Sequence, residues 1–459
     1  MAETIVALAT PAGRSGIGVI RLSGSASLDF AARLSVEKTA SFHARTARLV
    51  QLRDEDSGEV VDESIVTYFK GPNSFTGEDV VEISCHGSPV ILRQVIDACL
   101  RMGARLADAG EFTLRALANG RMDLAEAEAV RDLIDAQTSA AARQAVRQLR
   151  GEFSHQLQPI KDELLDVIVV LESALEFVED DLPEIQSNSV KTKLAAIADT
   201  IAKIAGTFQA GHLIREGLRV ALVGRPNVGK SSLFNALVGS ERAIVTDIAG
   251  TTRDQIHEKF TIGDIPVSLI DTAGLRETED TVESIGVERS RRTMADADLV
   301  VVILDATESI APEDREILET VSDLRHIVAL NKIDLLSDIA RPAEFTKWRA
   351  LINSDARAVF ISAKTGEGVS AFKEAVIAPF ASTDGTADGF LVTDARHHDL
   401  LRRSEEEIRQ SLELLRQNTS EEIVLIGLHN ALRYLGEITG ETTTEDMLTR
   451  IFSTFCIGK

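Results

Sequence analysis

The spacing of apolar residues changes along this chain, and each change predicts a different kind of structure. Over residues 1–118, short apolar runs alternate with glycine-rich turns, which is typical of β-strands. The pattern predicts a helix at residues 90–102 and strands at residues 5–9, 18–22, 63–69 and 79–85. This mixture indicates a compact α/β domain.

After Gly120 the apolar residues recur at helical spacing. A helical stretch is predicted over residues 124–149, where the background is rich in alanine and lacks Gly and Pro. Helical patterns continue over residues 164–177 and 190–208. We interpret the acidic residues 179–184 as a solvated helix end rather than a metal site, because their carboxylates are consecutive rather than convergent.

A third pattern occupies residues 217–380, where short apolar runs alternate with helical segments. The runs are at residues 219–223, 267–270, 299–304, 327–330 and 359–361. Such alternation predicts a parallel, doubly wound sheet. Helical patterns then return at residues 399–417, 421–438 and 444–454.

The order of helix, α/β module and helix predicts an inserted domain, which is tolerated because the ends of a domain often lie close together. We expect the two helical segments to form one bundle from which the inserted module protrudes. The predicted domains are residues 1–118 (α/β), 119–216 (first helical part), 217–380 (inserted module) and 381–459 (second helical part).

Composition narrows the possible functions. The 459 residues suffice for about three domains. A net charge of −23 argues against binding nucleic acid by bulk electrostatics, although it allows a local basic patch. The cysteines, Cys85, Cys99 and Cys456, lack the spacing of a zinc site or a disulfide framework. We find no signal peptide and no apolar run of about 20 residues, so we expect a cytosolic protein without membrane insertion.

The most specific motif is Gly-Arg-Pro-Asn-Val-Gly-Lys-Ser at residues 224–231. It follows a predicted strand and precedes a helical pattern, which is the context of a phosphate-binding loop. Its glycines let backbone N–H groups face phosphates, and the helix adds its N-terminal dipole. Lys230 should reach the β- and γ-phosphates, and the Ser231 hydroxyl should bind Mg²⁺.

Further motifs follow in the order that guanine-nucleotide proteins show. Asp271-Thr272-Ala273-Gly274 ends one strand and should meet Mg²⁺ and the γ-phosphate. Asn331-Lys332-Ile333-Asp334 ends another, and the Asp334 carboxylate can accept the two hydrogen bonds that guanine N1 and its amino group donate. Ser362-Ala363-Lys364 resembles the loop that supports the base. Together these motifs predict that the nucleotide is GTP, bound by a Ras-like domain.

Residues 246–254 should form the first switch, in which Thr252 completes the coordination of Mg²⁺. The predicted GTP-binding residues are Asn227, Val228, Gly229, Lys230, Ser231, Ser232, Thr246, Asp247, Ile248, Ala249, Gly250, Thr251, Thr252, Asp271, Thr272, Ala273, Gly274, Asn331, Lys332, Asp334, Ser362, Ala363 and Lys364.

Catalysis cannot follow the Ras pattern, because Leu275 stands where Ras-like proteins place the water-orienting Gln. The residues alone leave the replacement open among several polar residues just downstream: Arg276, Glu277, Glu279, Asp280 and Glu283. Asn227 also has two interpretations. Its amide oxygen either caps the loop or binds a K⁺ ion that supplies positive charge to the reaction.

The chain also resembles the MnmE (TrmE) family of tRNA-modification GTPases beyond the nucleotide motifs. The resemblance rests on Ile5-Val6-Ala7 with Thr10-Pro11 and Gly13-Arg14, on residues 71–79 (Gly-Pro-Asn-Ser-Phe-Thr-Gly-Glu-Asp), on Gly110-Glu111-Phe112 and on the terminal Phe455-Cys456-Ile457-Gly458-Lys459. It implies an N-terminal α/β domain that binds folate and dimerises, a helical domain and an inserted GTPase domain.

In that family an FAD-dependent partner, MnmG (GidA), is required. The complex adds an aminomethyl or carboxymethylaminomethyl group to C5 of the wobble uridine of certain tRNAs, with a 5-formyl- or methylene-tetrahydrofolate as one-carbon donor. The resemblance therefore implies a heterotetramer with that partner, and GTPase domains that dimerise when activated. It implies folate contacts at Arg21, Glu82, Arg121 and Lys459.

The resemblance also assigns roles that the residues left open. It implies K⁺ ligands at Asn227, Thr246, Ile248 and Thr251, Mg²⁺ ligands at Ser231 and Thr252, and Glu283 as the residue that positions water. With Lys230, Glu283 would form the catalytic set for hydrolysis. Cys456 becomes a candidate for the modification chemistry if it has thiolate character, whereas we interpret Cys85 and Cys99 as structural.

Two other functions fit the sequence less well. A pure regulatory switch in ribosome assembly or at membranes does not account for the N-terminal domain or the Cys456 motif. A folate-dependent aminomethyltransferase with a vestigial GTPase is disfavoured because the phosphate-contacting positions are intact.

Overall fold

The structure is a computed structural model, and it describes residues 3–176, 184–240, 258–270, 297–337, 341–352, 357–380, 389–417, 419–441 and 445–458. The chain divides into two compact units. The first comprises Met1–Asp135, Ala145–Asp199 and Arg403–Lys459, and the second comprises Ala136–Gln144 and Thr200–Arg402. Within the described ranges, no helix has both the length and the apolarity that crossing a membrane requires.

The described strands fall into two sheets. In chain order they are β1 (Ile5–Leu8), β2 (Ile17–Ser23), β3 (Ala47–Arg53), β4 (Val60–Phe69), β5 (Val80–His86), β6 (Arg105–Leu106), β7 (Leu218–Val223), β8 (Glu258–Ile262), β9 (Ile265–Ile270), β10 (Leu299–Asp305), β11 (His326–Asn331) and β12 (Arg357–Phe360).

The described α-helices are α1 (Ser27–Ser35), α2 (Pro89–Arg101), α3 (Glu111–Ala118), α4 (Leu124–Asp135), α5 (Ser139–Leu149), α6 (Glu152–Glu176), α7 (Glu184–Gly206), α8 (Phe208–Glu216), α9 (Lys230–Ser240), α10 (Pro312–Thr320), α11 (Arg341–Leu351), α12 (Val369–Ile377), α13 (Ala395–Arg416), α14 (Glu421–Thr439) and α15 (Glu445–Phe452). Short 3-10 turns lie at Thr39–Ser41, Ile333–Leu335 and Ala378–Phe380.

The first unit contains a sheet in the order β3-β4-β5-β2-β1-β6. Its neighbouring strands are antiparallel except for β1 and β6, which are parallel. Alternate residues of β2, such as Ile20 and Leu22, are buried in a core shared with α1 and α2. The strands and the helix that the sequence predicted in this region are therefore confirmed, with ends that shift by up to three residues.

The helices of the first unit pack around apolar stripes. The long helix α6 buries Leu157, Leu164 and Leu171, and it packs along α14. A second cluster joins α4 to the C-terminal helix α15 through Leu124, Phe452 and neighbouring side chains. The helical domain predicted on both sides of the inserted module is thus observed as helices before and after it.

Several helical predictions were wrong in detail. Residues 124–149 form two helices, α4 and α5, rather than one. The break comes at Thr138, whose Oγ1 accepts a hydrogen bond of 3.1 Å from the backbone N–H of Ala141 at the start of α5. This side-chain cap satisfies a helix-end donor, so a new helix begins although neither Gly nor Pro interrupts the sequence. The starts of α6 and α7 were predicted at residues 164 and 190, whereas the helices begin at Glu152 and Glu184. The apolar pattern also failed to predict α1, α3, α8, β3, β6 and β8.

The second unit holds the sheet β12-β11-β10-β7-β9-β8. Neighbouring strands are parallel except for β8, which pairs antiparallel with β9. All seven residues of β10 are buried, because apolar clusters cover both faces of the sheet. This confirms the predicted doubly wound, mostly parallel sheet. The chain leaves β7 toward β9 on one side and returns at β10 on the other, so a ligand crevice is expected beyond the carboxyl end of β7.

Candidate functional site

The loop that follows β7 has the backbone of a phosphate-binding loop. Gly224, Asn227 and Gly229 have φ angles of 155°, 64° and 99°, and α9 begins directly afterwards at Lys230. A Cβ at Gly229 would lie 2.1 Å from Nδ2 of Asn331, so a side chain does not fit there. The sequence folds this way because glycine accepts both the positive φ and the close approach.

Lys230 lies across this loop. Its Nζ donates hydrogen bonds of 2.7 Å to the carbonyl oxygens of Gly224 and Arg225. Burial lowers the pKa of Lys230 from its ordinary value. The next two residues, Ser231 and Ser232, occupy the first turn of α9 with exposed side chains. The predicted phosphate-binding lysine and serines therefore lie together at the start of one helix.

Asn331, the last residue of β11, joins two of the predicted loops. Its Nδ2 donates to the carbonyl oxygen of Val228 at 2.9 Å, and its Oδ1 accepts from the backbone N–H of Ala363 at 2.9 Å. The residue is only 2 % exposed. Because a buried amide that lost either partner would leave a polar group unsatisfied, this side chain holds the two loops in register.

The residues predicted to select the base are also fixed. Lys332 has a left-handed φ of 67°, and its Nζ lies 2.6 Å from Oδ2 of Asp305 at the end of β10. Burial acts to raise the pKa of Asp305, but hydrogen bonds from Lys332 and Thr307 outweigh it and hold that pKa below its usual value. Asp334 Oδ1 accepts a 2.7 Å hydrogen bond from the hydroxyl of Ser362, which orients the carboxylate.

Lys364 follows in the same loop, with an exposed side chain. The structure thus brings the loops 224–231, 331–334 and 362–364 together at the carboxyl ends of parallel strands. The other predicted nucleotide, metal and catalytic contacts lie outside the described residues: Thr246, Asp247, Ile248, Ala249, Gly250, Thr251, Thr252, Asp271, Thr272, Ala273, Gly274 and Glu283.

A second candidate site lies in the first unit, around Arg21 on β2. Glu82 on β5 is its direct cross-strand partner, and Arg21 Nε and Nη2 lie 2.9 and 2.8 Å from Glu82 Oε1. The guanidinium carbon is 5.6 and 5.7 Å from the ring centres of Phe75 and Phe112. Two residues predicted to bind folate are therefore in contact, and two aromatic rings that the sequence analysis gave no role lie beside them.

The C-terminal segment reaches the same place. Arg21 Nη1 donates to the carbonyl oxygen of Gly458 at 3.3 Å, and Ile457 pairs with Ala109 in an antiparallel bridge. Gly458 has a φ of 96°, and a Cβ there would lie 2.3 Å from the carbonyl oxygen of Leu8. Lys459 lies outside the described residues, but its neighbour Gly458 contacts Arg21.

Arg121 contacts a neighbouring loop rather than Arg21 itself. Its Nε donates to the carbonyl oxygen of Ser74 at 3.2 Å, one residue before Phe75. Close by, Glu78 Oε2 accepts from the hydroxyl of Ser23 at 2.7 Å and from Arg115 Nη1 at 3.0 Å. No role for Glu78 was predicted from the sequence, although it belongs to the segment 71–79. That dense run of Gly, Pro and polar residues was the available signal.

The three cysteines differ in their surroundings. Cys456 is exposed, whereas Cys85 and Cys99 are buried. Burial raises the pKa of Cys85 to about 11 and that of Cys99 to about 12. These two thiols have the environment of inert core residues, as the sequence analysis interpreted them.

Comparison with known proteins covers the whole chain. The family model for the GTP-binding protein TrmE N-terminus matches residues 4–121, and the model for the MnmE helical domain matches residues 124–456. The second match begins before the nucleotide-binding module and ends after it, as expected for a domain with an insertion. In the solved structures, the G domain of the T. maritima FeoB iron transporter is 31% identical, covering 35% of this chain and 97% of that one, with a TM-score of 0.26.

Full-length relatives indicate the same family as the two family models. Proteins called tRNA modification GTPase MnmE from Koribacter versatilis and Aquifex aeolicus are each 44% identical, and that from Alkaliphilus metalliredigens is 40% identical. Each alignment covers 100% of this chain and 99% or 100% of the relative. Together with the phosphate loop, the Asn331 link and the two family models, these matches show that the chain belongs to the MnmE (TrmE) family of tRNA modification GTPases.

Proposed function

We propose that this protein hydrolyses GTP in order to modify the wobble uridine of certain tRNAs. The observation that carries the GTP part is the Asn331 side chain, which holds the phosphate loop and the base-supporting loop in one register. Asp334, oriented by Ser362, offers a carboxylate to the paired donors on guanine, a pair that adenine lacks. This geometry supports a guanine nucleotide, and membership of the family supports tRNA as the molecule acted on.

For hydrolysis, Lys230 is positioned to neutralise phosphate charge, and Ser231 with Thr252 would hold Mg²⁺. We assign Glu283 to positioning the attacking water, since Leu275 cannot do so. Asn227 has an exposed side chain and a left-handed backbone at the surface of the phosphate loop, which fits a cation ligand.

With Thr246, Ile248 and Thr251, Asn227 would hold K⁺, which supplies positive charge near the transferred phosphate. We propose that two GTPase domains meet in the activated state.

The Arg21 site is proposed to bind a tetrahydrofolate derivative as the one-carbon donor. Its groups fit that ligand: Glu82 can accept hydrogen bonds from a pterin edge, Arg21 can donate, and Phe75 offers an aromatic surface. Arg121 contributes from the neighbouring loop and Lys459 from the C-terminus. The exposed Cys456 lies next to the segment that contacts Arg21, which supports a role in the modification chemistry.

We further propose that the protein is a homodimer through its N-terminal domain and works with an FAD-dependent MnmG-type partner in a heterotetramer. The domain limits are proposed at residues 1–118, 119–216, 217–380 and 381–459. Because tRNA is the substrate, the proposed location is the cytoplasm. A net charge of −23 supports the idea that the partner supplies many of the tRNA contacts.

The direct test is mass spectrometry of tRNA nucleosides from cells that lack this protein. We expect the aminomethyl-type modifications of the wobble uridine to disappear and to return when the wild-type gene is restored. Unchanged wobble uridines would contradict the modification function while leaving GTP hydrolysis untouched.

The K⁺ and Glu283 assignments have separate tests. GTP turnover should be much faster in KCl than in NaCl at equal ionic strength, and equal rates would remove the K⁺ role of Asn227. A Glu283→Ala variant should bind GTP normally yet hydrolyse it slowly. Wild-type turnover by that variant would refute the assignment.

A further inference from the structure

A buried carboxylate lies outside all of the nucleotide motifs but next to them. Asp314, in the first turn of α10, has a side chain only 2 % exposed. Its Oδ2 accepts a 3.0 Å hydrogen bond from the backbone N–H of Ala311 and so caps the helix. Capping uses only one of the two oxygens of the Asp314 carboxylate. A buried charge also needs a partner of opposite sign, because desolvation is costly.

That partner is Arg225, the second residue of the phosphate-binding loop. Arg225 Nε donates to Asp314 Oδ1 at 2.8 Å, and its Nη2 donates to Oε2 of Glu308 at 3.1 Å. Glu308 is 58 % exposed, so its contribution is weakened by solvent. The buried bond to Asp314 is therefore the contact that fixes the Arg225 side chain.

Fixing the Arg225 side chain also restrains the carbonyl oxygen of Arg225, which contacts the phosphate-binding lysine. The carbonyl oxygen of Arg225 accepts a 2.7 Å hydrogen bond from Lys230 Nζ. A continuous chain thus runs from the Asp314 carboxylate through Arg225 to the ammonium group of Lys230. Both hydrogen bonds in this chain have at least one charged partner, and such bonds are stronger than those between neutral groups.

Arg225 could act in two ways, and the geometry separates them. An arginine that neutralises phosphate directly needs its N–H groups directed at the ligand. Here Nε and Nη2 point at two carboxylates instead.

We propose that Arg225 and Asp314 are positioning residues for Lys230: Asp314 anchors Arg225, and the anchored peptide holds the lysine where the phosphates bind. The inference rests on the proposed guanine-nucleotide function and adds residues to that site. It predicts that Asp314, which belongs to none of the nucleotide motifs but contacts one of them, affects nucleotide affinity.

The test is a double-mutant cycle on the full-length protein, with mant-GDP and mant-GppNHp as fluorescent probes in Mg²⁺. Arg225→Ala and Asp314→Asn should each weaken both probes by about tenfold, the order expected for losing a charge-assisted hydrogen bond. Because both changes break one chain of contacts, the double variant should bind no more weakly than the weaker single variant. Arg225→Lys, which keeps one donor, should recover part of the loss.

Two exposed neighbours on α10 are matched controls. Arg315→Ala removes the same charge as Arg225→Ala, and Glu313→Gln matches Asp314→Asn. Both should bind the probes like the wild type. Thermal unfolding of each protein shows whether the affinities are measured well below the melting temperature. If Asp314→Asn does not fold, the loss in Arg225→Ala and its recovery in Arg225→Lys still decide the matter.

Three results would overturn the proposal. These are unchanged affinities, losses that multiply in the double variant, or an Arg225→Ala loss much larger for mant-GppNHp than for mant-GDP with Asp314→Asn unaffected. The last pattern would indicate direct contact with the γ-phosphate. Nucleotide binding by the wild-type protein distinguishes a failure of this proposal from a failure of the proposed function. If it does not bind mant-GDP in preference to mant-ADP, the guanine-nucleotide function itself fails.

Discussion

The nucleotide site and the Arg21 site are built in opposite ways. In the second unit, binding groups come from a few short loops, and much of the phosphate loop acts through its backbone. In the first unit, Arg21 contacts a residue 437 positions away, the C-terminal Gly458. A loop that binds through its backbone requires particular residues at neighbouring positions, so its sequence forms a recognisable motif. A site assembled from side chains that are distant in sequence has no such motif, so its members cannot be connected by a local pattern.

Both sites nevertheless depend on a glycine with a positive φ. Gly229 has no room for a Cβ beside Asn331, and Gly458 has none beside Leu8. The steric requirement is the same, but only Gly229 lies within a motif that sequence reasoning can recognise. Substituting each glycine therefore compares the two sites on equal terms.

The largest effect is expected for Gly229→Ala. Its Cβ would lie 2.1 Å from Nδ2 of Asn331, and moving that buried amide breaks its bond to Val228. We expect the affinity for mant-GDP to fall by about a hundredfold or more, since both strain and an unsatisfied buried group result. Gly263→Ala is the control, because it also has a positive φ but meets open space. Comparable losses in both variants would contradict the Asn331 link.

The second-largest effect is expected for Gly458→Ala. Its Cβ would lie 2.3 Å from a backbone oxygen of β1, which cannot move easily, so the C-terminal segment should leave Arg21. Binding of 5-formyltetrahydrofolate, followed by calorimetry, should weaken by about tenfold or more. Gly103→Ala, in the same unit with open space around it, should bind as the wild type does. Unchanged binding by Gly458→Ala would remove the C-terminus from this site.

Thiol labelling gives a smaller but clear signal. At pH 8 with a disulfide reagent, Cys456 should react in the folded protein because it is exposed. Cys85 and Cys99 should react only after unfolding, since burial excludes the reagent and raises the pKa of each thiol to about 11 and about 12. Rapid reaction of all three in the native protein would show that the core around β5 and α2 is wrong.

The smallest effect concerns the break between α4 and α5. Thr138→Ala removes the cap on the N–H of Ala141 and should lower the free energy of unfolding by about 1 kcal/mol. Thr192→Ala is the control, because that exposed hydroxyl bonds within its own helix to the carbonyl oxygen of Asn188. Chemical denaturation measures both. If Thr192→Ala costs as much as Thr138→Ala, the cap does not explain the break.

Sequence predicted the second unit better than the first for a physical reason. Buried parallel strands such as β10 are continuous apolar runs, and some of them end at a motif residue, as β11 ends at Asn331. The contacts of Phe75 and Phe112 with Arg21 could not be predicted from the sequence, because they depend on strand pairing and on where the C-terminal segment lies. Asp314 escaped for a similar reason, since its contact with Arg225 spans 89 positions.

The break at Thr138 shows a different limit. Periodicity reports which face of a helix is buried, but a side-chain hydrogen bond marks where α5 begins. The assignments on Thr246 to Thr252, Asp271 to Gly274, Glu283 and Lys459 stay predictions.

The central claim is that one chain carries two separate sites and that tRNA modification needs both. It is tested most directly by measuring GTP turnover and wobble-uridine modification side by side in cells and proteins carrying wild type, Gly229→Ala or Gly458→Ala. We predict that Gly229→Ala loses both activities and that Gly458→Ala keeps GTP turnover but loses modification. Full modification by Gly458→Ala, or by Gly229→Ala without GTP turnover, would contradict the account.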